Sequence, residues 1–109
     1  MSKQTVVNMI QHHLDVYEEA QRILRRRHFV LKHIDLGKTV IVRLIDEQGK
    51  VIDCASAIIR QILDEQTVQV NLDEKLGYFE AQEALCIRTE DFFLKRETNT
   101  WIASFTKPL

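Results

Sequence analysis

Residues 5–27 contain neither Gly nor Pro, and their apolar residues return every three or four positions. That spacing is the period of an α-helix with one apolar side. It predicts an N-terminal helix over residues 5–28, in which Ser2 or Thr5 caps the first turn. Such a helix is about 35 Å long, which is longer than a small sheet needs as a cover.

The apolar residues of this helix form two stripes with a repeat of seven residues. The stripes are Met9, Val16 and Ile23, and Ile10, Tyr17 and Leu24. A seven-residue apolar repeat is the spacing that packs two helices against each other. It predicts that the protein associates with itself, or with a protein partner, through this helix. The alternative is that one stripe packs on the protein's own sheet, so that the helix caps the sheet and does not project from it.

After Gly37 the pattern changes to alternation, with many β-branched residues. Period-two segments separated by turn residues predict strands at 38–46, 50–59, 66–72, 83–89, 92–97 and 100–105. Strands this short and this close together are typical of a small antiparallel barrel. We therefore predict an α+β fold in a single domain, 1–109, with a long N-terminal helix followed by a small antiparallel β-barrel of five or six strands over 37–106. Residues 55–63 are so apolar that their pattern also allows a helix.

Charge divides the chain into a basic and an acidic part. Up to Arg43 the chain has 8 positive and 4 negative residues (8 − 4 = +4), and the rest has 7 and 12 (7 − 12 = −5). The positive charge is concentrated in Arg22, Arg25, Arg26 and Arg27. These guanidinium groups match phosphate oxygens, which predicts an anion or nucleotide site. The alternative is structural, with some of them opposing the negative end of the helix.

The sequence lacks the residue patterns of an enzyme or a metal site. No Gly-rich phosphate loop and no nucleophile elbow occurs, and the acidic pairs, Glu90-Asp91 among them, fall at predicted turns where solvent surrounds them. The histidines are poorly spaced to chelate a metal ion together. His12 and His13 are adjacent, and His28 and His33 lie across the predicted transition from helix to strand. We therefore expect no catalytic activity, no metal and no cofactor.

Composition is that of an ordinary globular protein, with 109 residues, 45% of them hydrophobic and 28% charged. Cys54 and Cys86 stand in apolar stretches, which predicts small buried side chains in a reducing compartment. No apolar run approaches the ~18 residues of a membrane span or the length of a signal peptide. These observations predict a cytoplasmic protein. Six of the eight aromatic residues lie in the acidic part, which makes RNA binding the third hypothesis.

An arginine cluster before a small barrel resembles PilZ domains, the bacterial receptors for cyclic di-GMP. Arg22-Ile23-Leu24-Arg25-Arg26 fits the RxxxR motif of that family, and residues 36–44 look like the first strand of the barrel at the N-terminus of flagellar-brake proteins. The resemblance covers roughly residues 22–105. It implies that the arginines wrap the dinucleotide.

The second PilZ motif, D/NxSxxG, is absent. Its nearest match, Asp53-Cys54-Ala55-Ser56-Ala57-Ile58, has Ala55 in place of the Ser and Ile58 in place of the Gly. The resemblance then implies a domain that works through protein partners or by oligomerising. Our leading hypothesis is accordingly a non-enzymatic interaction or regulatory module, and a nucleotide receptor is the alternative.

Overall fold

The computed structural model describes the backbone of residues 3–106 and the side chains of residues 11–106. Its first element is helix α1, Lys3–His33, which confirms the predicted helix and continues beyond residue 28. The continuation is explained by burial, because Val30 is fully buried in the core and Ile34 donates a backbone hydrogen bond to its carbonyl at 2.8 Å. The expectation that His28 and His33 flank a helix-to-strand transition is therefore wrong, since both lie in α1.

Six strands and one short 3-10 helix follow α1, and each predicted strand is present. The strands are β1 Thr39–Ile45, β2 Val51–Asp64, β3 Thr67–Leu72, β4 Ala84–Arg88, β5 Phe92–Lys95 and β6 Thr100–Thr106. The 3-10 helix η1, Thr89–Asp91, joins β4 to β5. Residues 55–63 belong to β2, where Ala55, Ala57 and Ile59 are buried and the residues between them are more exposed. That alternation is the period of a strand.

The strands form one mixed sheet, so the prediction of a closed antiparallel barrel is wrong. The strand order is β4-β3-β2-β1-β6-β5, and β1 pairs with β6 in parallel whereas the other neighbours are antiparallel. The edge strands β4 and β5 are consecutive in the chain and are separated only by the three residues of η1. The sheet is therefore strongly bent, so that its two edges are connected by a single 3-10 turn. In the described part of the chain, no hydrogen-bonded ladder joins these edges.

The core lies on the inner face of this bent sheet and is closed at one end by the C-terminal part of α1. Alternate residues of each strand point inward, as a half-buried strand requires. Phe29, Phe79, Leu94 and Phe105 pack around the core as half-buried residues. The buried apolar residues are Val30, Ile34, Val40, Val42, Leu44, Ala55, Ala57, Ile59, Val68, Val70, Leu72, Leu76, Leu85, Ile87, Phe92, Trp101 and Ala103.

Gly77 is a glycine that the core itself requires. Its φ of +57° is rare for L residues, and a Cβ there would lie 2.6 Å from Cδ2 of the buried Leu44. We expect Gly77→Ala to lower the free energy of unfolding by about 2–3 kcal/mol, because backbone strain adds to overpacking. Gly49→Ala is the matched control, since Gly49 has φ +80° in the connection between β1 and β2 but open space around it. Its expected loss is about 1 kcal/mol, and equal losses in urea denaturation would contradict the packing argument.

Among the residues that the structure describes, no helix is both long enough and apolar enough to cross a bilayer.

Candidate functional site

The N-terminal part of α1 projects from the rest of the molecule. Every residue from 11 to 20 is exposed, and the long axis of the molecule measures 58 Å against 31 and 28 Å for the others. The described attachments of α1 to the sheet begin near Ile23, which is half-buried, and continue through Arg26 and Arg27 to the buried Val30 and Ile34. Among the residues whose side chains the structure describes, the helix is thus held at its C-terminal end.

Both predicted stripes reach into this projecting part. Val16 is 55% exposed, Tyr17 62% and Leu24 39%. Ile23 is less exposed than these three residues, because it lies where the contacts with the sheet begin. The side chains of Met9 and Ile10 lie outside the described residues. Of the predicted association residues, Val16, Tyr17 and Leu24 thus form an apolar face in contact with solvent.

Leu14 and Ala20 extend this face, although neither was among the predicted association residues. Leu14 is 49% exposed and follows Tyr17 around the helix, whereas Ala20 lies between the two stripes. The heptad pattern omitted both because it selects only positions seven residues apart. We refer to Leu14, Val16, Tyr17, Ala20 and Leu24 as the free face. Exposed apolar side chains grouped on one side of a helix are the usual mark of an interaction surface.

The arginine cluster does not form one site, because two of its members bind the protein itself. Arg27 Nε lies 2.9 Å from Glu90 Oε2 and its Nη2 lies 3.3 Å from Glu90 Oε1. The two side chains are only 21% and 13% exposed. A two-point contact between guanidinium and carboxylate is among the stronger polar interactions in proteins. It fastens α1 to η1.

Arg26 reinforces this junction through the main chain. Its Nε donates to the carbonyl of Glu90 at 3.0 Å, and its Nη2 donates to the carbonyl of Phe92 at 2.9 Å. Part of the arginine cluster thus donates to a carboxylate and to two neutral carbonyl groups of the same chain. The expectation that Glu90 and Asp91 are solvent-surrounded turn residues is wrong for the same reason: Glu90 is bound by Arg27, and Asp91 is bound by Arg88 at 2.9 Å.

The contact between Arg27 and Glu90 shifts both groups in the direction expected for an ion pair. The hydrogen bond from Arg27 lowers the pKa of Glu90 below its ordinary 4.5, against the opposing effect of burial. The same hydrogen bond raises the pKa of Arg27. A carboxyl group whose pKa is lower in the folded state stabilises the fold above its unfolded pKa, and this stabilisation is lost as the pH falls through the folded value.

We therefore expect the free energy of unfolding to fall below about pH 4.5 more steeply in the natural protein than in Glu90→Gln. Urea denaturation at a series of pH values measures the difference. Glu80→Gln is the control, because Glu80 forms an exposed ion pair with Lys75 at 4.0 Å. Parallel pH profiles of the natural protein and Glu90→Gln would contradict the assigned role of the pair.

Arg22 and Arg25 remain exposed. Arg22 Nη1 lies 3.5 Å from Glu19 Oε2, in a surface pair whose side chains are 70% and 64% exposed. Surface pairs of this kind contribute little to stability. Arg22 also lines a cleft of about 330 Å³ between α1 and η1, together with Glu19, Ile23, Arg26, Arg88, Glu90 and Asp91. Arg25 is not among the residues that line this cleft.

Arg88 was not predicted as a site residue, although it brings a third guanidinium group to the cleft. It is the last residue of β4, in the acidic part of the chain and more than 60 positions from Arg22, and no local pattern connects the two residues. The cleft therefore combines three guanidinium groups with three carboxylates. The charges of its lining side chains are therefore equal in number.

Both cysteines are free and exposed, so the expectation that they are buried is wrong. On β4 the residues on either side of Cys86, Leu85 and Ile87, are buried, and alternation turns Cys86 outward. Cys86 lines a second cleft, of about 380 Å³, between β4 and the end of β6, with Phe105 on the opposite wall.

Among the described residues, no group of three or more His, Cys, Asp or Glu side chains is placed to hold a metal ion.

Comparison with known proteins gives no relative: no family model, no curated protein and no solved structure matches this chain.

Proposed function

We propose that this protein is a non-enzymatic interaction module that associates with a second copy of itself through the free face of α1. The observation that carries the proposal is the position of the free face. It lies on a helix whose described contacts with the sheet begin at about Ile23, so that Val16 and Tyr17 stand clear of their own sheet and Leu24 is still 39% exposed.

The seven-residue repeat argues that the partner is another copy. Residues 3–24 of α1 are 22 positions long, which is about three heptads. Two identical helices with this repeat present matching apolar seams to each other, whereas a flat apolar surface would not require the repeat. Asp15, Glu18 and Arg25 lie on the side of the helix away from the two stripes, where they stay in water when the seams meet.

The instability of a lone projecting helix supports the same proposal. Most of the stability of a helix in a protein comes from packing of its apolar side, and an isolated segment of 12–15 residues is marginal in water. From residue 11 onward, where side chains are described, the projecting part has two local surface contacts, the hydrogen bond from Gln11 to Asp15 at 3.0 Å and the ion pair of Arg22 with Glu19. Contacts of this type contribute about 0.2–0.5 kcal/mol each. A second helix would supply the packing that the sheet does not give.

Light scattering over a range of protein concentrations tests the proposal. The expected result is a mass that rises with concentration from 12.8 kDa toward at least twice that value. A protein that stays at the monomer mass at high micromolar concentration would rule out association through α1.

The cleft between α1 and η1 supports a second proposal, binding of an anionic nucleotide such as cyclic di-GMP. Arg22 keeps an exposed guanidinium at the mouth of this cleft, near those of Arg26 and Arg88. The contacts of Arg26 and Arg27 with η1 reduce the number of arginines that are free to bind phosphate. For this reason we rank nucleotide binding below self-association.

Calorimetry with cyclic di-GMP distinguishes the two proposals. If the cleft binds the nucleotide, Arg22→Ala should weaken binding and Arg25→Ala should leave it nearly unchanged, because Arg22 lines the cleft and Arg25 does not. Arg26→Ala and Arg27→Ala are unsuitable, since each removes a contact that holds α1 to the sheet. The absence of heat in the natural protein, or equal effects of the two substitutions, would remove this second proposal.

A further inference from the structure

His13 lies in the middle of the free face. Residues of a helix follow each other at about 100° around its axis. Val16 and Ile23 therefore lie on one side of the seam, Tyr17 and Leu24 on the other, and His13 and Ala20 between them. The apolar seam thus contains one titratable residue at a central position, and the structure shows this residue exposed in the single chain.

We propose that His13 makes the association of two copies dependent on pH, so that the assembly forms when the imidazoles are neutral and weakens when they are protonated. This inference rests on the self-association proposed above. It adds the residue that regulates the association and the direction of the change.

The length of the projecting helix brings the two His13 residues together. The backbone of α1 runs from Lys3 to the first attached residues near Ile23, and the midpoint of residues 3–24 falls between His13 and Leu14. In a parallel pair in register, His13 faces His13 of the second copy. In an antiparallel pair with full overlap, residue i faces residue 27 − i, and the two His13 residues are offset by only one position. Both directions therefore place the two imidazoles at the centre of the seam.

The groups around His13 offer no compensating negative charge on the free face. Within one turn of His13 the titratable groups are His12, Asp15 and Tyr17. The ring of His12 lies 6.1 Å away toward the edge of the seam. Asp15 lies on the opposite side of the helix, where it accepts a hydrogen bond from Gln11 at 3.0 Å. The second copy presents the same groups, and the sheet does not approach this part of α1.

Protonation therefore places two like charges close together in an apolar seam. A neutral imidazole can remain in such a seam with its ring packed against apolar neighbours, whereas an imidazolium loses hydration there and repels the second one. Histidine is the side chain whose charge ordinarily changes between pH 5 and pH 8. We expect the dissociation constant of the assembly to rise about tenfold or more between about pH 8 and about pH 5.5.

Sedimentation equilibrium of the full chain at these two pH values tests the inference. His13→Leu should associate at least as tightly as the natural protein at the higher pH and should lose most of the pH dependence. His12→Leu is the matched control and should retain it. The fluorescence of Trp101, which is 2% exposed, reports whether the fold is intact at each pH.

Each outcome bears on a different part of the account. An assembly with the same pH dependence in the natural protein and in His13→Leu would overturn the role of His13 and leave the self-association standing. A natural protein that is monomeric at both pH values would overturn the self-association itself, and the regulation with it. Loss of the pH dependence in His13→Leu, with the dependence retained in His12→Leu, would support both the self-association and the role of His13.

Discussion

Replacement of Phe92 by Ala should lower the free energy of unfolding by about 3–5 kcal/mol. Phe92 is the largest of the fully buried side chains and stands at the first position of β5, directly after η1. Its carbonyl also accepts the hydrogen bond from Arg26 that holds α1. A cavity at this position therefore weakens the core at the point where the helix, the 3-10 turn and the sheet meet. Urea denaturation followed by Trp101 fluorescence measures the loss.

Phe93→Ala is the control for this prediction because it removes the same group from the next position. Phe93 is only half-buried on the outer face, where the guanidinium carbon of Arg43 lies 5.1 Å from its ring centroid. Loss of this contact and of partial burial should lower the free energy of unfolding by about 1–2 kcal/mol. Similar losses in the two variants would contradict the placement of Phe92 in the core.

The double substitution Val16→Lys with Tyr17→Lys should abolish self-association. Both residues lie on the free face, and in an assembly their replacements would bring four charges into the apolar seam. We expect the dissociation constant to rise at least about a hundredfold. The sheet should remain folded, because neither residue touches the core.

Asp15→Lys with Glu18→Lys is the matched control, since it introduces the same residue on the opposite side of the same helix turns. Sedimentation equilibrium should show association close to that of the natural protein. A loss of association as large as that of the first double variant would mean that charge in general, and not the free face, controls the assembly.

The local structure of this chain follows from its sequence because local periodicity determines it. The three-to-four residue spacing before Arg27 predicted α1, and alternation predicted the six strands, including the inward side of Val68 and Val70. The predicted end of α1 was wrong because the helix continues to His33. Burial of Val30, and of Ile34 just after the helix, in the core explains this continuation, and it depends on contacts between distant residues. Closure of the barrel was wrong for a similar reason: which strands become edges depends on non-local pairing.

The outward position of Cys86 could have been predicted from the strand period. Leu85 and Ile87 alternate with it, and a strand that buries both of them turns Cys86 to solvent. The apolar surroundings of Cys86 led to the opposite expectation, since hydrophobicity was counted without regard to alternation.

The candidate site was predicted only in part. The heptad stripes located the free face, but the arginine cluster was treated as a single group. In the structure it divides, because Arg26 and Arg27 bind η1 while Arg22 and Arg25 stay in solvent. The unequal charge of the two parts of the chain was the available signal: a basic helix and an acidic sheet attract each other. The particular pairing of Arg27 with Glu90 spans 63 positions, and local spacing contains no information about it.

Hydrogen exchange at two protein concentrations tests the central claim, that the free face of α1 is covered by a second copy. We expect the backbone amides of residues 11–24 to exchange more slowly at high concentration than at low concentration, since pairing stabilises a helix that otherwise opens easily. The amides of β1 and β2 should exchange at the same rates at both concentrations. Exchange of residues 11–24 that is fast and independent of concentration would contradict the account.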